Sequence, residues 1–434
     1  MAKIAVIGSG ISGLGCAYLL QRRHEVSVFE ANDYAGGHTH THSIAVGTQS
    51  YQVDTGFIVF NPNHYPNFVR LLSELGVADQ PTLMGFGVKN ERSGLEYNAT
   101  TVNQLFAQRS NLLSPRFWQL IRDLKRFYRT PHPLLTMPDP GPTVGEYLKS
   151  EGYSEIFAQD HLIPIASALW SSPGIGIEAF PAKYLAQFMA NHHMLNTDST
   201  RPPWRVVKGG SQSYTRALLA KLKQPVRLNS PVQRVQRDAS GVTIAFNQQG
   251  FNHKTERFDH VVFACHSDQA LKMLSEPSNA ERAVLGALRF QANDVLLHTD
   301  TSIMPKRRKA WAAWNAHIAA DENSNQKCTV TYWMNLLQSI DAPVEFLVSL
   351  NCNERIDPAK ILKRLRYEHP IYTHETVQAQ KRRAEINGVT PQTPNVQNAL
   401  GRSFYCGAYW GFGFHEDGLR SAVEVAEMLD SGWA

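Results

Sequence analysis

Three glycines and one acid near the start of the chain have the types and spacing that suit binding of a dinucleotide. Residues 8–13 are Gly-Ser-Gly-Ile-Ser-Gly, and Glu30 follows about 20 residues later. The first glycine permits a tight turn, the second lets a pyrophosphate approach the backbone, and the third lets a helix pack closely. An acid at position 30 accepts hydrogen bonds from a ribose diol and repels a 2′-phosphate, which disfavours NADP. The predicted contacts are Gly8, Ser9, Gly10, Ile11, Ser12, Gly13, Glu30 and Ala31.

The segments around these residues have the order that such a site requires. Residues 3–7 form a short β-branched run typical of a buried parallel strand, residues 14–20 an apolar helix, and residues 26–29 a second strand. The start of that helix would offer free N–H groups and partial positive charge to phosphates. A glycine-rich turn in another α/β protein is the alternative, but the complete β-α-β context favours the dinucleotide site.

The length and composition set the class of protein. With 434 residues the chain is longer than one compact core usually holds, so we expect two domains, either consecutive or interleaved along the chain. A content of 43% hydrophobic and 19% charged residues is ordinary for a folded protein. The net charge of +5 is modest, and no Lys/Arg block joins an aromatic RNA-binding signature, so nucleic acid is not an expected partner.

The sequence gives no sign of a membrane span, a secretory leader or a metal site. No run of about 18 apolar residues occurs, and residues 1–7 are too short for a signal peptide. The five cysteines are scattered without a Cys-x-x-Cys, and His161, His192 and His193 are not spaced with acids as metal ligands. We therefore expect a reduced, cytoplasmic protein without a metal.

Two further glycine motifs extend the pattern beyond a generic dinucleotide unit. Ala35-Gly36-Gly37-His38-Thr39 follows Glu30, and residues 51–57 predict a strand that leads into Asp54-Thr55-Gly56-Phe57. With these motifs the chain resembles the flavin-containing amine oxidase superfamily. The resemblance continues at residues 208–211, 227–235 and 259–265 and at the C-terminus, and covers nearly the whole chain.

This resemblance implies a fold class and a division of the chain. The fold is α/β, with a Rossmann-like FAD-binding domain interleaved with an α+β substrate domain of antiparallel sheet and helices. The FAD-binding domain would comprise residues 1–80, 201–285 and 396–434. The substrate domain would comprise 81–200, a helical insertion, and 286–395, which supplies the sheet.

Within the superfamily, the chain is most similar to bacterial predicted FAD-binding proteins associated with cyclopropane-fatty-acid synthase-like methyltransferases. Many amine oxidases have arginine after the paired glycines, where this chain has His38, a weaker source of charge. The motifs that carry the match are Gly37-His38-Thr39, Leu162-Ile163-Pro164, Trp170-Ser171-Ser172-Pro173, Arg201-Pro202-Pro203-Trp204 and the stretch from Cys406 to Gly418.

The resemblance implies further cofactor contacts. Val232 would bind the adenine through its backbone, and the C-terminal strand–turn–helix would place N–H groups against the flavin. The cysteine at 406 is not where covalent relatives carry theirs, so the FAD is expected to be non-covalent. The implied contacts are Gly36, Gly37, His38, Thr55, Gly56, Phe57, Val232, Ala264, Cys265, Gly407, Ala408, Gly413, Phe414, His415 and Glu416.

Aromatic residues are the candidates for substrate contact, and no catalytic residue is assigned. Tyr409, Trp410, Phe412 and Phe414 could line the flavin, and the apolar helical stretch 143–194 suits either a pocket for a hydrophobic substrate or an ordinary helical subdomain. Strands predicted at 290–301, 327–334 and 343–351 would form the floor of the pocket. Trp311, Trp314, Tyr332 and Trp333 would line that sheet or belong to the core.

Residues 115–129 form a predicted amphipathic helix with two interpretations. Phe117, Leu120, Ile121, Leu124, Phe127 and Tyr128 recur at helical spacing, among Arg116, Arg122, Lys125, Arg126 and Arg129. The helix either packs in the core with a solvated basic face or lies at the surface and contacts anionic lipid.

Three functions remain open. The first is an FAD-dependent oxidoreductase that takes a hydride from a fatty-acyl or lipid chain, by dehydrogenation or isomerisation, peripheral at the inner membrane face and with a lipid-modifying enzyme as partner. The second is a flavin amine oxidase that produces imine and hydrogen peroxide. The third is a non-catalytic lipid- or prenyl-binding protein on the same fold.

Overall fold

The structure is a computed structural model of the chain. It describes residues 1–171, 174–195, 203–248, 251–320, 328–387 and 401–433, without the side chains of 174–175 and 251–253. Of the motifs quoted above, Ser172, Pro173, Arg201 and Pro202 lie outside the described residues.

The strands are β1 Lys3–Ile7, β2 Glu25–Phe29, β3 Thr41–Val46, β4 Gln49–Asp54, β5 Val59–Phe60, β6 Asp79–Thr82, β7 Phe86–Asn90, β8 Leu95–Asn98, β9 Trp204–Val207, β10 Val232–Asp238, β11 Gly241–Gln248, β12 Phe251–Phe258, β13 His260–Phe263, β14 Phe290–His298, β15 Trp314–Ile318, β16 Cys328–Trp333, β17 Leu347–Leu350, β18 Ile361–Pro370 and β19 Ser403–Tyr405.

The α-helices are α1 Ile11–Leu20, α2 Pro66–Leu75, α3 Val102–Leu105, α4 Pro115–Phe127, α5 Val144–Ser150, α6 Glu155–Phe157, α7 Ile163–Trp170, α8 Gly174–Glu178, α9 Ala182–Asn191, α10 Gln212–Lys221, α11 Ser267–Met273, α12 Asn279–Ala287, α13 Met334–Leu337, α14 His374–Lys381 and α15 His415–Met428.

A four-stranded parallel sheet brings together the two ends and the middle of the chain. Its order is β19-β13-β1-β2, and each neighbouring pair is parallel. Helices α1 and α15 pack together on one face, where Cys16, Leu19, Ala422 and Val425 are buried in one apolar cluster. Parallel strands covered on both faces require continuous apolar runs, which β1 supplies. All four strands therefore end at the same edge.

A seven-stranded sheet forms the second layer of the molecule. Its order is β18-β14-β17-β16-β15-β7-β8, antiparallel except where β15 pairs with β7. Helices from residues 102–195 pack on it in the largest apolar cluster, which includes Phe117, Phe157 and Trp170. The arrangement confirms the predicted fold class, while the domain boundaries remain predictions. Smaller sheets have the orders β10-β11-β12, β3-β4 and β5-β9-β6.

Several element boundaries differ from the prediction. Helix α1 begins at Ile11 instead of residue 14, and the helix of the predicted C-terminal strand–turn–helix, α15, begins at His415, three residues before Gly418. A Cβ on Gly418 would lie 2.8 Å from Ser12 Oγ, so this glycine allows two helices to approach and does not mark a helix start. Pro164 lies where the continuous helical run 155–170 changes from a π turn, Ala158–Leu162, to α7. The prolyl nitrogen cannot donate to Asp160 O, which instead accepts a hydrogen bond from Tyr97 OH at 2.7 Å.

The apolar stripe of α4 belongs to the core. Ser114 caps the helix by accepting a hydrogen bond from the N–H of Phe117 at 3.3 Å. Phe117, Leu120 and Phe127 are fully buried, and the basic residues face outward. The stripe is thus used for packing inside the protein. Across the part of the chain that the structure describes, no helix combines the length and the apolar character needed to span a bilayer.

Candidate cofactor site

The carboxyl ends of the four parallel strands meet at one edge of the sheet. Gly8 follows β1 and donates its N–H to Phe29 O at 2.8 Å, and Ala264 follows β13 and donates to Ile7 O at 2.8 Å. Cys406 follows β19 and donates to Phe263 O at 3.0 Å. This edge of an open parallel sheet is the usual position of ligands in α/β folds.

Neither the backbone conformation of Gly10 nor its packing within the protein explains why this residue is a glycine. Its φ of −68° and ψ of −177° suit any amino acid. A Cβ built there meets no protein atom within 4 Å. Gly13 is different, because a Cβ there would overlap the Gly8 carbonyl oxygen. Open space beside a bare backbone at the start of a helix fits a pyrophosphate.

The N-terminus of α1 is suited to an anion. Among the described residues no side chain caps this helix, and its first turn contains no acid. The first N–H groups of a helix lack partners inside it and carry partial positive charge. The residues Ile11, Ser12 and Gly13 therefore present N–H groups at the open space beside Gly10.

Glu30 lies at the end of β2 with its carboxylate turned toward the glycine loop. One carboxylate oxygen accepts hydrogen bonds from Ser9 N at 2.9 Å and Ser9 Oγ at 2.6 Å. The other accepts from Asn32 N at 2.9 Å. Each oxygen can accept two bonds, so the second keeps capacity for a ribose hydroxyl. Ser230 donates its N–H to Glu30 O at 2.8 Å, which brings the start of β10, with Val232, to this side.

The second glycine motif, residues 35–39, packs against the first, residues 8–13. Gly36 donates its N–H to Ser9 O at 2.9 Å, and a Cβ on Gly37 would lie 3.1 Å from Gly10 Cα. His38 is half-buried, and its Nε2 atom is buried without a hydrogen-bond partner in the described structure. Burial, together with the neighbouring rings of His369 and His266, holds the pKa of His38 well below its usual value. An orphaned buried nitrogen beside the glycine loops indicates a missing polar partner.

The segment 55–57 is fixed by Asp54, which the sequence did not single out for a structural role. Asp54 is fully buried and accepts hydrogen bonds from Ser211 N at 3.0 Å and Gln338 Nε2 at 2.9 Å, besides one from Thr41 Oγ1. Burial raises its pKa to about 6. Phe57 N donates to His38 O at 2.8 Å, so the segment lies against the glycine loop.

The C-terminal turn brings His415 to this site. Its ring stacks on Phe57 at a centroid distance of 3.6 Å. Its Nε2 lies 2.6 Å from Tyr214 OH and 3.2 Å from Thr39 Oγ1, and these two oxygens are 2.6 Å apart. Burial lowers the pKa of His415 to about 3, so the ring is neutral at pH 7. Thr39 and Tyr214 were not predicted, because their partner lies about 200 residues or more away in sequence.

The remaining residues of the C-terminal turn have different roles. Gly407 N donates to Ser421 Oγ at 2.9 Å, and Gly413 N donates to Ala408 O at 3.1 Å, which shapes the turn. The Glu416 carboxylate turns away and accepts from Phe68 N at 3.0 Å and Asn67 Nδ2 at 2.7 Å. Glu416 thus caps α2, and only its backbone is left for a cofactor.

The four aromatic residues that were predicted to line the flavin lie in two different parts of the structure, two in each. Tyr409 and Trp410 are buried with the apolar cluster on one face of the parallel sheet. Phe412 and Phe414 instead pack against the helical part of the chain, with the ring of Phe188 4.7 Å from that of Phe414. The second pair therefore lies between the C-terminal turn and the helical layer.

The aromatic residues of the seven-stranded sheet also separate. Trp314 and Tyr332 pack against the helical layer, and Tyr332 OH donates to Ala168 O at 3.1 Å. Trp311 and Trp333 lie in another cluster, where the Arg308 guanidinium stands 3.8 and 4.4 Å from their ring centroids. Neighbouring residues of a strand point to opposite faces, which accounts for the split between Tyr332 and Trp333.

The site is organised for an organic cofactor. Within the described residues no three His, Cys, Asp or Glu side chains are grouped as metal ligands. Cys265 is partly buried, and the loss of solvent around its thiol raises the pKa of that thiol well above the usual value. The open space at Gly10, the uncapped α1, Glu30 and the orphaned His38 nitrogen together fit a dinucleotide.

Comparisons with known proteins agree with this geometry. A family model described as flavin containing amine oxidoreductase matches residues 11–332. An L-amino-acid oxidase from Siganus canaliculatus is 24% identical over 322 residues, which are 69% of this chain and 57% of that protein. A 1-hydroxycarotenoid 3,4-desaturase from a Flavobacterium species is 45% identical over 65 residues, 15% of this chain and 12% of the relative. The match thus spans little more than half the length of the oxidase.

A solved structure shares the fold over its full length. Cyclohexylamine oxidase from Brevibacterium oxydans aligns with a TM-score of 0.63 and 17% identity, covering 99% of both chains. At this identity the likeness concerns the fold alone.

Proposed function

The chain belongs to the family of flavin-containing amine oxidoreductases, and on that premise we propose that it is an oxidoreductase with non-covalent FAD that acts on a hydrophobic substrate, a fatty-acyl or lipid chain. The observation that carries the cofactor assignment is Gly10, a glycine that neither its backbone angles nor its packing requires. A small residue is needed there only if something outside the protein occupies the space.

The chain's own residues would hold the cofactor by its two ends. The N–H groups at the start of α1 and the space beside Gly10 would bind the pyrophosphate, and the free lone pairs of Glu30 would bind the ribose. At the other end, the turn 407–414 and the start of α15 would orient the ring system against Phe57 and His415. The thiol of Cys265 is partly buried and has a raised pKa, so it is a poor nucleophile, which favours non-covalent binding of the cofactor.

A bound flavin supplies a hydride acceptor, so the protein must place a C–H bond beside it and keep water away. The residues available for this lie between the turn and the helical layer. Phe412 and Phe414 contact Phe188, and Trp170 Nε1 donates to Phe412 O at 2.9 Å. These rings would bind a hydrocarbon chain by burying apolar surface.

The charges around these rings favour an uncharged substrate. The ring of His192 lies 5.9 Å from that of Phe414, and burial lowers its pKa to about 4, so it is neutral at pH 7. Asp417 accepts a hydrogen bond from Phe414 N at 3.0 Å and pairs with Arg420 at 2.8 Å. An ammonium group would find these two side chains neutral or already paired. The desaturase relative is named for a 1-hydroxycarotenoid, which likewise contains no amine in its name.

Oxidation of an amine is the second candidate. The L-amino-acid oxidase is named for an amino-acid substrate and aligns over more of this chain than the desaturase does. Stacked aromatic residues such as Phe57 and His415 could also contact a small amine through their faces. A third candidate, a binding protein without flavin, is disfavoured by the Gly10 space.

The cofactor is tested with one pair of variants. Gly10→Val should fold normally but purify without flavin, because its side chain fills the space next to the α1 N-terminus. Gly286→Val, a change at an exposed helical glycine, should retain flavin. Flavin content is measured by visible absorbance after addition of FAD and gel filtration, and folding by circular dichroism. Full flavin retention by Gly10→Val would contradict the assignment of the site.

The substrate is tested on the flavin-loaded protein. The flavin absorbance is followed during anaerobic incubation with membrane lipid extract, free fatty acids, polyamines or aromatic amines. Bleaching by lipids but not amines is the expected result. Bleaching by amines alone, with peroxide formed when air is admitted, would replace the proposal with the amine oxidase. An isomerised chain of unchanged hydrogen content, found by lipid analysis of the same sample without net bleaching, would show that the flavin returns the hydride and that the reaction is isomerisation.

A further inference from the structure

The surface formed by residues 101–131 differs in charge from the rest of the chain. These 31 residues contain six Lys or Arg and a single acid, Asp123, so their net charge of +5 equals that of the whole protein. Asp123 is buried, and its Oδ2 accepts the N–H of Ser154 at 3.0 Å. The outer face of this region is therefore cationic, while the remainder of the molecule is electrically balanced.

The same surface exposes large apolar side chains. Val102 is 75% exposed, Leu112 47%, Leu113 90% and Trp118 49%. They make up four of the nine large apolar side chains that are exposed in the described residues. Isolated exposed apolar residues are normal, but several within one short stretch indicate an interaction site.

These apolar side chains are held in place by a fixed turn. The indole Nε1 of Trp118 donates to Leu112 O at 2.9 Å, and the Trp118 ring lies 5.7 Å from that of Phe106. Ser114 caps α4 directly after Leu113. The apolar stripe of α4 is buried on the opposite side, so Leu113 and Trp118 are not needed to complete the core.

The cations share the face that presents Trp118. Trp118, Arg122 and Lys125 follow one another at spacings of four and three residues, which places them on one side of the helix. Arg122 is 71% exposed and lies 3.8 Å from Asp123 Oδ1. No described carboxylate lies within ion-pair distance of Lys125 or Arg129. Arg116 and Arg126 lie 3.8 and 2.9 Å from the carboxylates of Asp160 and Glu151, so the positive charge available to an external anion is that of the remaining cations of this surface.

We propose that residues 101–131 form a docking surface for an anionic lipid bilayer. Leu112, Leu113 and Trp118 would enter the boundary between headgroups and acyl chains, and Arg122 and Lys125 would contact lipid phosphates. The fixed turn positions the apolar groups without loss of core packing, and the positive charge complements an anionic leaflet. This inference holds whichever substrate the enzyme uses.

The test is flotation of the flavin-loaded full chain with vesicles of phosphatidylcholine alone and with added phosphatidylglycerol. Binding should require the anionic lipid and weaken as salt is raised. Leu113→Ser should lower the partition coefficient about tenfold, which corresponds to ~1.4 kcal/mol of apolar burial. Arg122→Glu with Lys125→Glu should lower it at least ~30-fold, since each cation near such a surface contributes about 1 kcal/mol.

Matched controls lie at the far edge of the same seven-stranded sheet. Leu362→Ser changes an exposed leucine on β18, and Arg364→Glu with Arg366→Glu reverses two exposed charges there. Both controls should bind as the unaltered protein does, and flavin content verifies that every variant is folded. Absence of binding to anionic vesicles, equal binding to neutral ones, or equal losses in the controls would overturn the proposal. So would loss of a dimer in Leu113→Ser with vesicle binding unchanged, which would assign the surface to contact between copies.

Discussion

At the scale of single residues, His38 links cofactor binding to protonation. Its ring donates a hydrogen bond to the backbone carbonyl of Glu368, while Nε2 has no partner. A neutral ring that donates through one nitrogen can only accept through the other. A phosphate oxygen at Nε2 therefore needs the protonated ring, and its charge would raise the pKa that burial lowers.

We predict that FAD affinity rises as the pH falls from 7.5 to 6, by up to ~10-fold per pH unit if one proton is bound with the cofactor. The pH dependence should disappear in His38→Gln, which also binds FAD more weakly at pH 6. Fluorescence titration of apoprotein with FAD at several pH values measures both effects. A Gln variant with the same pH slope would show that another group takes up the proton.

At the scale of elements, Glu416 joins the C-terminal helix to α2. It is buried and accepts two backbone N–H groups, from Asn67 and Phe68, at a helix start that its own side chains do not cap. Glu416→Gln replaces one acceptor oxygen with a donor that faces other donors. We predict a loss of about 1–3 kcal/mol in the free energy of unfolding. Urea denaturation measures it, with Glu427→Gln on the exposed face of the same helix as the control.

A second outcome at this scale concerns the cofactor. Because α15 also positions the turn 407–414, the Glu416→Gln protein should lose FAD at lower urea concentration than it unfolds. If flavin release and unfolding remain coincident, the cap stabilises the fold but does not position the turn.

The elements that could be predicted from the sequence are those whose pattern is carried by neighbouring residues. The β-branched run of β1, the glycines of residues 8–13 and the apolar spacing of α4 each follow from neighbouring residues, and the structure has them nearly where they were expected. The strand β18 was not expected, because its charged sequence carries little strand signal and its pairing with β14 decides it. The hydrogen-bond network of Thr39, Tyr214 and His415 joins three segments that are distant in sequence. No pattern among neighbouring residues therefore predicts it.

At the scale of the whole molecule, the histidines that lie inside the protein determine how its stability depends on pH. Besides His42 on β3, six histidines have pKa values that burial lowers to about 3 or 4, in the helical layer, the sheet and the cofactor site. In the unfolded chain a histidine titrates near pH ~6.5. They are His132, His161, His192, His298, His369 and His415.

These shifts make stability depend on pH with a definite sign. Below about pH 6.5 the unfolded chain binds protons that the folded protein does not, so the free energy of unfolding falls as the pH falls. Asp54 and Asp417 act in the opposite direction, since burial raises their pKa to about 6 and the folded protein binds their protons first. With seven histidines, His42 included, against two aspartates, we predict a net loss on the order of several kcal/mol in the free energy of unfolding between pH 7 and pH 5.

Urea denaturation of the flavin-loaded protein at pH 7, 6 and 5 measures this loss. His298→Gln should lower the slope of stability against pH by about one proton, because it removes one of the titrating histidines. Ser349→Ala breaks the hydrogen bond of 2.8 Å between Ser349 Oγ and His298 Nε2 but removes no titrating group, so it should lower stability and leave the slope nearly unchanged. Stability that stays level or rises between pH 7 and pH 5 would mean that water reaches these rings in the folded protein. The close packing of the helical layer around His161, whose two ring nitrogens bond Tyr97 and Tyr128, makes that outcome unexpected.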